Sequence, residues 1–228
     1  MIVDTMNIEE VGNAVIKAAR KSIPKVVHVM ADHHKTYMRI VRNSNKERID
    51  FKPLSFVTDG ITFYVCVYSD SKRDTKKYDF PYGIFAHIVY KNKNWYCLIL
   101  NGYNSVQMYK HHFFKRYIER HLKDDSRVSV DTVRKYFRET NYLGWSQFIE
   151  NPRHKNCFYN ATNIGICCGF CINTRISVWL TYIDKETLTL GDKKVAFDMS
   201  ADLQIPIGLD AFGNRIFKGD SQYLLASL

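Results

Sequence analysis

Glycine and proline are scarce in this chain, 11 and 5 among 228 residues, which excludes a collagen-like, linker-rich or low-complexity protein. No self-similarity occurs at the periods that mark solenoids or propellers. Long apolar runs are also lacking. The most apolar stretches, Trp95 to Leu100 and Ile164 to Ile172, fall far short of the roughly 20 residues that a membrane-spanning helix requires. The start, Met1 to Glu10, is acidic and has neither the apolar region nor the small-residue cleavage site of a signal peptide. A cytoplasmic protein with no membrane partner is therefore expected. Its six cysteines, at 66, 97, 157, 167, 168 and 171, read as reduced thiols set in apolar runs. Several enzyme fingerprints are missing too: there is no His-Glu-x-x-His, Gly-rich phosphate loop, Gly-x-Ser-x-Gly or dinucleotide motif.

What is present is an apolar fraction of 46% with 14% aromatics, enough for a sizeable packed core and too much for a disordered chain. The formal net charge is +10, unevenly spread. Residues 61–123 carry 11 basic and 4 acidic side chains, whereas 161–228 carry 6 and 7. A basic middle can form an electrostatic footprint for RNA or another polyanion, because neutralising phosphates releases condensed counterions. Within it Lys91, Lys93, Lys110 and Lys115 are the candidate nucleic-acid contacts. The alternative is a solvated basic face that only maintains solubility.

Along the chain, Ile8, Val11, Val15, Ala18 and Ala19 form one helical stripe, Asn7 and Glu10 are spaced as a capping box, and Pro24 closes the segment. From 26 to 109 the pattern is strand-like, with expected strands Val26–Met30, Thr36–Arg42, Ile49–Thr58, Ile61–Tyr68, Ile84–Tyr90, Asn94–Leu100 and Ser105–Tyr109. Asp59-Gly60 and Lys91 to Asn94 suit hairpin connections. The polar run Ser69 to Asp79 reads as an exposed loop. Helical spacing returns at His111 with Phe113, Phe114, Tyr117, Ile118 and Leu122. A second short helix is expected from Val130 to about Glu139 and a third around Leu143 to Ile149, before Asn151-Pro152 breaks the pattern. Strands follow at Cys157–Asn160, Ile164–Cys171 and Arg175–Asp184, with a further candidate at Val195–Met199. Segregated blocks of this kind predict an α+β fold: antiparallel sheets, an N-terminal helix and a central pair or trio of helices. The chain is either a single domain over 1–228 or two lobes, 1–105 and 106–228.

Reactive residue types concentrate on the segment His111 to Arg120. At a spacing of four, His112, Arg116 and Arg120 advance only about 40° per step, so all three lie along one ridge. Arginine offers a planar fork of donors to phosphate, and histidine exchanges protons near neutral pH. These are the parts that RNA cleavage by 2′-hydroxyl attack needs, with no metal or cofactor. The bland counterpart is an ordinary charged helix face, in which Lys115 to Glu119 and Glu119 to Lys123 are i,i+4 pairs worth a few tenths of a kcal/mol each, of order 0.3.

His112-Phe-Phe-Lys-Arg116-Tyr-Ile-Glu-Arg120, the helix around Val133 to Phe137 and the strand pair Ile164–Gly169 and Ile176–Ile183 together resemble distantly the small RelE/BrnT-like ribonuclease toxins. The resemblance covers residues 111–190. It implies a helix packed on an antiparallel sheet, RNA as substrate, metal-free cleavage and a cognate antitoxin. Position by position, it implies a catalytic set of His112, Arg116 and Arg120, with Thr181 on the strand nearby.

Cys167, Cys168 and Cys171 have metal-like spacing, and His154 or Cys157 would supply a fourth ligand, but no second ligand pair matches. They read better as small core residues around Gly169, and no metal is expected. His33-His34, with Asp32 and His28, is a second weak cluster, since adjacent strand residues point apart. Tyr64, Tyr68, Tyr90 and Tyr96 lie near basic loops, as stacking platforms for single strands do. The competing use of these tyrosines is as core, decided by exposure. The leading expectation is an RNA- or polyanion-engaging protein, with metal-independent endoribonuclease activity carried by His112, Arg116 and Arg120. The competing one is a non-catalytic interaction protein, of a mobile element, that docks a protein or nucleic acid.

Overall fold

Asn7 starts the first helix through the capping box that its spacing from Glu10 predicts. Its side chain accepts the Glu10 N–H at 2.9 Å, and its own N–H donates to the Glu10 carboxylate at 2.7 Å. The helix, α1, does not stop at Pro24: it runs from Ile8 to Asn43. The strands expected at Val26–Met30 and Thr36–Arg42 are therefore corrected to helix. Their β-branched residues concealed a helical stripe of Val26, Met30, Tyr37 and Val41, whose members are buried or packed against the core. That burial offsets the roughly 3 kcal/mol cost of an interior proline. The computed structural model describes residues 2–46, 48–70, 80–140, 149–151, 156–162, 164–184, 206–209 and 215–217.

Next come β1 (Ile49–Asp50), β2 (Leu54–Thr58), β3 (Ile61–Ser69), β4 (Tyr82–Tyr90), β5 (Lys93–Leu100) and β6 (Ser105–Lys110). The expected strand 49–58 is thus broken around Pro53, which has no N–H to give a ladder. The β2–β3 and β4–β5 hairpins turn on Asp59-Gly60 and Lys91-Asn92. All four residues have φ between 50° and 79°, the left-handed pair that matches the twist of the flanking strands. The helix α2 (His111–Tyr117) follows, continued by a π turn (Ile118–Leu122), and then α3 (Val130–Glu139). Strands β7 (Ile149–Glu150), β8 (Phe158–Ala161), β9 (Gly165–Asn173) and β10 (Ile176–Asp184) complete the main sheet, and β11 (Pro206–Leu209) pairs with β12 (Arg215–Phe217). The helix expected around Leu143 and the strand at Val195–Met199 lie outside the described residues, as does the stretch 71–79 of the expected loop.

The fold is α+β with an N-terminal helix and a mostly antiparallel sheet. Strand order is β1-β3-β4-β5-β6-β10-β9-β8-β7, with β2 also on β3. The one pairing in this sheet that breaks the antiparallel pattern is β6 with β10, Val106 opposite Ile176 and Tyr109 opposite Trp179. One sheet therefore runs through both halves of the chain.

Its two faces bury different chemistry. Under α1 lie mainly aliphatic residues, among them Val65, Ile84, Ile88, Ile176 and Val178. The helix sits so close that a Cβ on Gly12 would come within 2.8 Å of the Ile176 side chain. On the opposite face α2 and α3 close an aromatic core of Phe85, Tyr109, Phe113, Phe114, Tyr136, Phe137, Trp179 and Tyr182. Arg138, itself buried, fastens α3 to the β1–β3 edge through Asp50 at 2.8 Å and Asp70, with its guanidinium 3.8 Å from the Tyr68 ring centre. Among the described residues no helix is long and apolar enough to cross a membrane.

Candidate functional site

Burial of Phe113, Phe114 and Tyr117 fixes which side of α2 faces the sheet, and this turns His112, Lys115 and Arg116 outward. The ridge is only partly assembled. Arg116 Nε donates to His112 Nε2 at 3.2 Å, and its Nη1 pairs with Glu119 at 3.1 Å. Lys115 also reaches Glu119, at 3.7 Å. Arg120 leaves the ridge: its Nη1 donates to the Tyr182 carbonyl at 2.9 Å and ties the helix to β10. Thr181 is half-buried on β10, opposite Cys168. Among the described residues no hydrogen bond or ion pair joins it to His112, Arg116 or Arg120.

This geometry determines what His112 can do. Its Nε2 accepts the arginine N–H, so a neutral ring keeps its proton on Nδ1. Partial burial pushes its affinity for a second proton below the ordinary histidine value, and the Arg116 charge pushes the same way, against the raising effect of Glu119. Its lone pair is occupied and its cationic form is disfavoured.

The candidate lysines separate into two groups. Lys115 rides on α2, with its side chain 63% exposed. Lys91 and Lys110 lie over the rings of Tyr90 and Trp95, at 5.1 and 5.6 Å from the ring centres, and both rings belong to the aliphatic-side core beneath α1. Lys93 is exposed at the start of β5, beside the same hairpin turn.

A second cluster escaped the sequence reading. The π turn swings His121 between two carboxylates, with Nδ1 3.1 Å from Asp184 and Nε2 3.7 Å from Glu139. Tyr117 donates its hydroxyl to Glu139 and stacks on His121, while Tyr182 donates to the Ile164 carbonyl at 2.6 Å. Burial first, then the neighbouring carboxylates, holds both phenols far above the ordinary tyrosine value. π turns recur at functional sites, but here each polar atom of the histidine faces the protein's own acids. The only local signal was the four-residue spacing of Tyr117 and His121; Glu139 and Asp184 arrive from distant elements.

The other candidates divide between core and surface, and Cys171, expected in the core, is corrected to an exposed residue near the end of β9. Cys167 and Cys168 are buried, Cys171 is exposed, and all are free thiols. Burial pushes the Cys167 thiol up to about 12, with its sulfur 3.0 Å from the Tyr136 hydroxyl. Asn151 donates to Cys168 at 3.3 Å. His28, Asp32, His33 and His34 fall on α1, where His28 pairs with Asp32 at 3.3 Å and His33 contacts its own helix carbonyl at Val29. No group of three or more metal-ligating side chains occurs among the described residues. Tyr90 and Tyr96 are buried, Tyr68 lies under Arg138, and Tyr64 is half-buried. The chain matches no family model, no curated protein and no solved structure.

Proposed function

We propose that the protein binds RNA or a comparable phosphate polyanion through the outward ridge of α2, without cleaving it. The observation that carries this reading is that α2 presents Lys115 and Arg116 to solvent from a helix whose inner face is locked by Phe113, Phe114 and Tyr117. Rigidly held cations lose little freedom when a phosphate chain arrives, and the +10 net charge draws such a chain in. Binding is favoured over chemistry because the His112 lone pair is engaged by Arg116 and Arg120 serves a backbone carbonyl.

Metal-independent RNA cleavage is the second reading. It rests on the direct contact between His112 and Arg116 on an exposed helix. There His112 is the acid/base, Arg116 and Arg120 are the phosphate clamps and Thr181 is the nearby strand residue, all requiring a rearrangement on substrate binding.

Purified wild type, His112→Ala and a Lys115→Gln/Arg116→Gln double variant are incubated with labelled total RNA in EDTA at low and high salt. The expected result is retention that falls steeply with salt, weakens in the double variant, survives in His112→Ala and leaves the RNA intact. Cleavage lost in His112→Ala would replace the binding reading by the ribonuclease one. Neither retention nor cleavage would refute both and direct the search to a protein partner, an antitoxin among the candidates.

A further inference from the structure

Among the described residues the helical cover over the aromatic face is incomplete. α2 packs on β10, β5 and β6, and α3 reaches as far as the contact of Phe137 with Phe85, 5.5 Å between ring centres. Beyond that contact the same face of β2, β3 and β4 carries Ser55, Val57, Thr62, Tyr64, His87 and Val89, set side by side by the register. Val57 and Val89 are 56% and 59% exposed. Tyr64 and His87 are half-buried.

Each ring is already half of a stack. Tyr64 lies nearly parallel to Phe85 at 5.0 Å, and His87 nearly parallel to Tyr96 at 5.1 Å. The His87 ring is held in place by Asn94 Oδ1, 3.0 Å from its Nε2. On their other sides the cross-strand neighbours are Ser55 and Thr62, too small to cover a ring. Among the described residues the pleat thus leaves one side of each stack open.

The strip contains no acidic side chain. It meets the ridge helix through Tyr96, whose ring centre lies 5.1 Å from His87 of the strip and 5.1 Å from Phe114 of α2. The Nδ1 of His111 is buried with no hydrogen-bond partner among the described residues. Flat rings with an open side, apolar flanks and cations along one border complement a chain of phosphates whose bases are unpaired. Duplex fits poorly, because its bases are already stacked on each other and cannot reach a ring standing in a sheet.

We infer that this sheet face is a stacking platform for single-stranded nucleic acid: unpaired bases lie on Tyr64 and His87, and the phosphates follow the α2 ridge. The inference rests on the polyanion reading of α2 and narrows it to single strands.

The test is fluorescence anisotropy of the full chain with labelled decamers of single-stranded RNA, single-stranded DNA, duplex RNA and an abasic single strand, with heparin as a base-free polyanion. Single strands are expected to bind more tightly than the duplex and the abasic strand. Tyr64→Ala and His87→Ala should each weaken single-strand binding about tenfold, leaving heparin binding unchanged, while Tyr64→Phe binds as wild type. Lys115→Gln should weaken heparin and single strands alike. RNA against DNA tells whether the 2′-hydroxyl contributes. Equal affinity for normal and abasic strands by the wild type would overturn the platform and leave the polyanion reading intact, whether or not the alanine variants fold. Absence of binding to every probe, heparin included, would remove both.

Discussion

The two faces of the sheet are built on opposite principles. Beneath α1 the core is mostly valine, isoleucine and alanine, side chains that ask only to be excluded from water. Beneath α2 and α3 it is tyrosine, phenylalanine and tryptophan. Buried phenols favour hydrogen-bond partners, and four on this face have them: Tyr109 with Gln107 at 2.7 Å, Tyr136 with Cys167, Tyr117 with Glu139 and Tyr182 with Ile164. Aliphatic burial is non-directional, whereas each hydroxyl partner also fixes an orientation. The surface features proposed to bind nucleic acid, the α2 ridge and the open strip, adjoin the second kind.

Truncation should separate the faces most clearly. Phe137→Ala removes a fully buried ring that touches Phe85, Tyr109 and Phe114, and is expected to cost about 3–5 kcal/mol in urea unfolding. A loss under about 1 kcal/mol would mean that the aromatic face is loosely packed after all. Tyr117→Phe keeps the ring and deletes only its hydrogen bond to Glu139. A destabilisation of about 1.5 kcal/mol is expected; a neutral result would show that wiring adds nothing to packing. On the other face Ile176→Val, at a residue 1% exposed, should cost about 1 kcal/mol, with no change in nucleic-acid binding.

The smallest effect is pH-dependent. In the folded chain burial, reinforced by Lys115, lowers the proton affinity of His111, and burial reinforced by Arg116 lowers that of His112, both below the ordinary 6.5. Their contribution to stability is complete above the unfolded value and is lost as pH falls below it toward the folded values. Unfolding midpoints between pH 7.5 and 5 should therefore decline, and a His111→Gln/His112→Gln variant should decline less. An unchanged slope would show that these histidines are not coupled to folding.

Much of this was legible in local sequence. The helix Val130–Glu139 is bounded as read, because Ser129 caps it and accepts the Thr132 N–H at 3.2 Å. The turn at Asp59-Gly60 follows from residues that tolerate positive φ. The second half of α1 was misread because Val26, Val27, Val29 and Thr36 carry strand propensity, and tertiary burial of one helical stripe outweighed it. Ridge spacing correctly placed His112 against Arg116. It could not reveal that Arg120 would find the Tyr182 carbonyl, 62 residues away, nor that β10 would lie parallel to β6. Long-range partners leave no mark on periodicity.

That parallel pairing carries a consequence in time. Within the meander β2 to β6 neighbouring strands are also neighbours in sequence, and β9–β10 is likewise a local hairpin, so each is expected to form quickly. Joining them requires Val106 to meet Ile176, about 70 residues apart, a closure whose entropy must be met before any contact rewards it. During synthesis the meander emerges while β10 is still unmade and the β6 edge is unpaired, with β5, β6 and α3 already present to cover part of the aromatic side of α2. The β6–β10 seam is thus expected to close after the two segments that it joins.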